Sequence, residues 1–133
     1  MSLMRWNCPT DGCYLDRAVV KFDVFSNLFP RGINFTDIDG FVEYEFRFCL
    51  MEWKDPRVKD LQTGQELAFR RFANNGNVVF VVFGCVDTMT VERVWIYYNG
   101  NLHIKDSITL DELIAQISRW KHHAEVAVGK ALP

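Results

Sequence analysis

Cysteine is sparse in this chain, charges of the two signs nearly cancel, and no long apolar run occurs. Four cysteines among 133 residues, at positions 8, 13, 49 and 85, do not make the dense framework of a disulfide-held secreted domain. Lys and Arg number 15 against 17 Asp and Glu, a formal net charge of −2. That balance excludes the strongly basic coat of a protein that binds nucleic acid over its whole surface. It leaves room for a metal-dependent enzyme, whose acidic site is masked by cations while local Arg and Lys clusters hold phosphates. No apolar stretch approaches the roughly 18 residues needed to cross a bilayer, so a membrane partner is not expected. The amino terminus shows no basic-then-apolar leader, and the expectation is a cytoplasmic protein. Cys8 and Cys13 have the spacing of half a zinc knuckle, but a second ligand pair at suitable spacing is missing.

What is abundant is apolar and aromatic: 49% of the residues are hydrophobic, with eleven Phe and four Trp. That suffices for one real core, and the expectation is a single domain over residues 4–133. No internal repeat or linker interrupts it. From about Tyr14 to Leu28 the positions Leu15, Val19, Phe22, Phe25 and Leu28 recur at helical spacing, and Pro30-Arg31-Gly32 closes that segment. Residues 34–54 read as two consecutive strands, although the turn near Tyr44-Glu45-Phe46 lacks the Gly or Asn-Gly of a tight hairpin. Thr63 with Glu66 has capping-box spacing and predicts a helix from about Gly64 to Asn74, ended by Gly76. The apolar, β-branched run from Asn77 to Gly84 predicts a central strand, parallel to the one before the helix. A strand from Val91 to Tyr98, an Asn99-Gly100 turn, a short strand at Leu102 to Ile104 and a final helix opened by Thr109 complete the chain. Arg119, Lys121, His122 and His123 would form that helix's basic end. Cys49 and Cys85 fall in apolar strands and are expected in the core.

One polar constellation stands out. Asp39 precedes Glu52 by thirteen residues, and Glu52 and Lys54 alternate on one face of an otherwise apolar strand. A carboxylate in such a strand needs a partner, either a structural cation or a metal shared with another acid. Two carboxylates suit a hard divalent cation, and a nearby ammonium can position water or offset developing charge. Arg31, Arg57, Lys59 and Arg70, with Arg71 and Lys121, are the available phosphate contacts. On the predicted helix Gln65 shares a face with Phe69 and Phe72.

Asp39, the Glu52-x-Lys54 pair and a following helix bearing Gln65 together resemble the PD-(D/E)XK nuclease superfamily, with a layout similar to its compact junction-resolving and phage-encoded members. The resemblance covers Arg31 to Gly84, and Ile38 stands where the family's motif has proline. It implies an α/β fold, one compact domain with a central mixed β-sheet flanked by helices in the restriction-endonuclease-like manner. It also implies a Mg²⁺ (or Mn²⁺) ion held by Asp39, Glu52 and the Trp53 backbone carbonyl, and hydrolysis of DNA phosphodiester bonds, internally or from ends. Lys54 would position water or offset charge, and Gln65 would orient that amine, a water or the phosphate. Asp37 would support Asp39 or bind a second metal, and Asp16 or Asp23 would be the additional acid from the first helix. Junction-resolving relatives suggest a homodimer, and the setting would be a bacterial or phage-infected cell. The competing expectation is a non-catalytic DNA- or protein-binding module that keeps the nuclease fold. A third would use the aromatic strand at 94–98 as a dimer interface.

Overall fold

The computed structural model describes residues 21–133, which fall into two compact units divided after Asp37. In the first, the expected helix does not run through Leu28. Its beginning lies outside the described residues, and within them only a 3₁₀ turn, Phe22–Phe25, forms. Phe22, Phe25 and Phe29 gather around Phe35 with ring centroids 5.8, 5.5 and 6.1 Å away, which packs the turn against the segment that follows it. Arg31 and Gly32, both at positive φ (61° and 73°), reverse the chain there.

The second unit, Ile38–Pro133, is a five-stranded mixed sheet with two α-helices. The strands are β1 (Gly40–Tyr44), β2 (Arg47–Lys54), β3 (Val78–Cys85), β4 (Thr90–Tyr98) and β5 (Asn101–Lys105). Helix α1 (Thr63–Phe72) joins β2 to β3, and α2 (Leu110–Ala127) follows β5. Strand order in the sheet follows the chain, and only β2 and β3 are parallel, because only they are joined by a helical crossover.

Alternation along the strands divides the core in two. Leu50, Val79, Val81, Phe83 and Tyr97 pack with Leu61, Phe69 and Ala73 on the α1 side. Cys49, Val78, Phe80, Val82, Val94 and Ile96 pack with Leu113 and Trp120 on the α2 side. Strand β3 is buried from Val78 through Gly84, each large apolar side chain contributing about 1.5–3 kcal/mol. It is the axis of the fold. A Cβ on Gly84 would collide with the Thr90 carbonyl at the bulge between Phe83 and Gly84, so only glycine permits β4 to approach here.

Helix α2 opens with the capping box expected of Thr109, which accepts from the Glu112 amide while Glu112 accepts from the Thr109 amide. The expected basic end is not found: its last turn carries no basic residue, because the helix continues to Ala127 and Lys121 pairs with Glu125 at 3.3 Å. Helix α1 departs from its expected start as well. Gln62 occupies the N-cap position and makes no side-chain cap, while Glu66 turns to Arg70 at 2.6 Å. With Gln62 at the N-cap, Glu66 falls one position past the capping-box place and accepts instead from the Arg70 guanidinium one turn along. The β1–β2 hairpin closes through Glu45 and Phe46, both left-handed (φ 49° and 66°), without glycine. Holding two bulky residues there costs about 1–2 kcal/mol each. Glu43 Oε2 offsets part of it by accepting from the Phe46 amide at 3.0 Å, and Lys130 holds Glu45 at 2.7 Å. Cys85, expected in the core, is exposed, as the last residue of β3 after seven buried ones.

Candidate functional site

Antiparallel pairing of β1 with β2 ends at Gly40 opposite Met51, while β2 continues to Lys54. The overhang creates the site. Beyond the last pair the Trp53 amide still points toward the β1 side, and Asp39 Oδ2 accepts its hydrogen bond at 2.8 Å. Asp39 thus stands in for the missing ladder acceptor and lies across from Glu52 in a register continued by one residue. A strand residue's N–H and C=O leave on the same side, so the Trp53 carbonyl also faces the Asp39 side. Its indole lies on the other face, donating to Met51 Sδ at 3.1 Å.

Glu52 and Lys54 alternate with Trp53 and share the α1 face, above Val81 and Phe83 of β3. Glu52 Oε1 and Lys54 Nζ are 3.8 Å apart, with side chains 12% and 26% exposed. Partial burial gives this pair a lower local dielectric than a surface pair and strengthens the attraction. Gln65, on the first turn of α1, is half-buried on the helix face of Phe69, which packs against this same side of the sheet.

One residue that sequence reasoning passed over organises the surroundings. Arg93 pairs with Phe83 in the β3–β4 register, its guanidinium carbon 3.9 Å from the Phe83 ring centroid, and donates to the Pro56 and Val58 carbonyls. It pins the loop that leaves Lys54. The available signal was a lone cation between Val91 and Trp95 in an otherwise apolar face.

The expected phosphate contacts divide. Arg57 is bound to Asp55 through two 2.9 Å hydrogen bonds from Nε and Nη2, and that contact holds the Asp55 carboxyl down at about 2. The Arg57 side chain remains 90% exposed, beside Lys59 on the same loop. Arg70 is not available in the same way: Glu66, the Gly100 carbonyl at 3.2 Å and the Tyr97 ring occupy it. Burial would raise the Glu66 carboxyl, but the Tyr97 hydroxyl and Arg70 outweigh it and leave it below its ordinary value. Lys121 belongs to α2, paired with Glu125. Asp23, Arg31 and Asp37 are exposed residues of the first unit, and Asp16 lies outside the described residues, as do Cys8 and Cys13.

Among the described residues no three His, Cys, Asp or Glu side chains cluster as a metal site would require of side chains alone. What the geometry offers is two carboxylates and a backbone carbonyl, all oxygen. Compared with known protein families, with curated proteins and with solved structures, the chain gives no match.

Proposed function

We propose that this protein is a metal-dependent nuclease of the PD-(D/E)XK kind, hydrolysing DNA phosphodiester bonds with Mg²⁺ or Mn²⁺. The observation that carries the reading is the β2 overhang, which gathers Asp39, the Trp53 backbone, Glu52 and Lys54 at one strand end. The donor set fits a small hard cation, which takes oxygen, accepts few protein ligands and keeps several waters. Asp39 retains Oδ1 for a ligand while Oδ2 is held by the Trp53 amide, so its carboxylate is oriented in advance. Asp39, Glu52 and the Trp53 carbonyl would hold the ion. When bound, it would polarise the phosphate and lower the pKa of an attacking water.

The chain's own groups do the remainder. Lys54, held in place by Glu52, offsets negative charge as it builds on the phosphate oxygens. Gln65 offers one acceptor and two donors at the start of α1 to orient the Lys54 amine, a water or the phosphate. Arg57 and Lys59 approach the nucleic-acid backbone from the loop that Arg93 fixes. A homodimer belongs to the same reading, and sedimentation velocity decides it. The test of activity is nicking of supercoiled plasmid in Mg²⁺. Glu52→Gln should reduce it at least a hundredfold, and Lys54→Ala similarly, whereas Glu52→Gln protein that nicks like the parent overturns the assignment.

The second reading is a module that keeps the fold and binds DNA or a protein without cleaving. It is favoured by one feature: Glu52 already meets Lys54, and Asp39 already meets the Trp53 amide, so the charges are partly satisfied without an ion. DNA binding that is unchanged by EDTA, with no cleavage in Mg²⁺ or Mn²⁺, would select it.

A further inference from the structure

A cavity of about 320 Å³ lies on the opposite face of the sheet from Glu52 and Lys54, between β5 and α2. Its origin is geometric. Helix α2 is anchored over the centre of the sheet, where Leu113 and Trp120 enter the core and the Trp120 indole donates to the Gly76 carbonyl at 2.8 Å. Near its end Glu125 accepts from Tyr44 of β1 at 2.6 Å, which holds the helix toward that edge. Strand β5, at the far edge, is left with an uncovered face.

The lining is not what an edge gap would need. The floor is apolar, with Phe80 and Ile96 from β3 and β4. The walls carry basic and neutral polar side chains: His103 and Lys105 alternate on β5, pairing with Ile96 and Val94, and Arg119 and His123 stand one turn apart on α2, with Gln116 and Tyr98 beside them. No carboxylate lines the cavity, and neither Lys105 nor Arg119 forms a salt bridge among the described residues. Lys105 and Arg119 thus present charge of one sign over an apolar floor, a field that attracts an anion.

We infer that this cavity is a binding site for a small organic anion: a carboxylate or phosphate carried on a flat, apolar ring system. The floor is formed by the apolar side chains of Phe80 and Ile96, which suits a ring lying against it. Lys105 and Arg119 take the anionic group, Arg119 offering a two-pronged donor. The volume is that of a small-ligand site. The inference is independent of the nuclease reading, since it uses the other face of the sheet.

The test is titration of the isotopically labelled full chain, followed by amide and indole NMR signals, with four probes. These are 2-naphthoate, 2-naphthol (the same rings without the charge), phenyl phosphate and inorganic phosphate. Naphthoate or phenyl phosphate should move the Trp120 indole signal and neighbouring β5 and α2 amides saturably, with affinity about tenfold above 2-naphthol. Carboxylate and phosphate arms show which anion is preferred. Lys105→Gln and Arg119→Gln change exposed residues and leave the core intact, and each should weaken binding about fivefold. The inference is overturned if no probe saturates at millimolar concentration, if naphthol binds as well as naphthoate, or if the two variants bind like the parent. It is overturned too if inorganic phosphate matches phenyl phosphate, because the apolar floor would then contribute nothing.

Discussion

Asp39 carries two duties that substitution can separate, one structural and one electrostatic. Its Oδ2 accepts from the Trp53 amide at 2.8 Å, and its charge stands across the strand pair from Glu52. Asp39→Asn keeps a carbonyl oxygen for the amide and removes the charge. The hydrogen bond weakens by about 0.5 kcal/mol on losing its ionic character, while like-charge repulsion across the strands, about 0.2–1 kcal/mol, is relieved. Metal-free Asp39→Asn should therefore be as stable as the parent to within about 0.5 kcal/mol. Asp39→Ala loses the acceptor outright and should cost about 1 kcal/mol, the low end for an amide that water can reach. Divalent ions should separate the parent from Asp39→Asn. For a site with Kd of about 1 mM, 10 mM Mg²⁺ stabilises the parent by about 1.4 kcal/mol, which raises Tm by about 5 °C in a chain of this size. Asp39→Asn and Glu52→Gln should each lose most of that rise. Thermal unfolding by circular dichroism, with and without Mg²⁺, Mn²⁺ and a matched ionic strength of KCl, measures all the terms. An equal Tm rise in parent and both variants would refute the shared site, as would a parent indifferent to either ion.

Three further perturbations address the fold. Burial pushes the Cys49 thiol up from its ordinary value near 9 to about 12. The folded state then holds this proton longer than the unfolded state, so its stability is complete below pH 9 and falls as pH rises toward 12, at up to about 1.4 kcal/mol per pH unit. In a background with Cys8, Cys13 and Cys85 replaced by serine, urea midpoints between pH 8 and 10.5 should fall more steeply than in the same protein carrying Cys49→Ala; parallel slopes would contradict this. Gly84→Ala forces a Cβ against the Thr90 carbonyl and should cost about 3 kcal/mol or more, read as a lowered urea midpoint, with near-parental stability as the contrary result. Trp120→Phe keeps most of the buried ring but orphans the Gly76 carbonyl, and should cost about 1–3 kcal/mol by the same measurement.

Local pattern alone determined most of the second unit. The run from Val78 through Gly84 could only be a central strand, because nothing in it tolerates water on either face. The Asn99-Gly100 turn and the Thr109–Glu112 capping box are settled by residues within four positions of each other, and so are legible without the rest of the chain. The alternation that sets Glu52 and Lys54 on one face is likewise a two-residue property of any strand.

What tertiary structure decided depends on partners far away in sequence. Glu45 and Phe46 turn left-handed with Lys130 holding the former, a contact between residues 85 apart that no turn propensity contains. Glu66 abandons its cap for Arg70, which is itself held by Gly100 across the core. Arg93 reaches back to the loop after Lys54, and Cys85, though it closes an apolar strand, is exposed. At the candidate site the division is the same. Sequence supplied Asp39, Glu52 and Lys54, but only the registry of β1 against β2 determines that the ladder ends at Gly40 and Met51 while β2 runs on to Lys54. That shortfall leaves Asp39 to accept from the Trp53 amide, across from Glu52 in the continued register. Registry is fixed by the summed burial of both sheet faces, a quantity that belongs to the folded unit and to no segment of it.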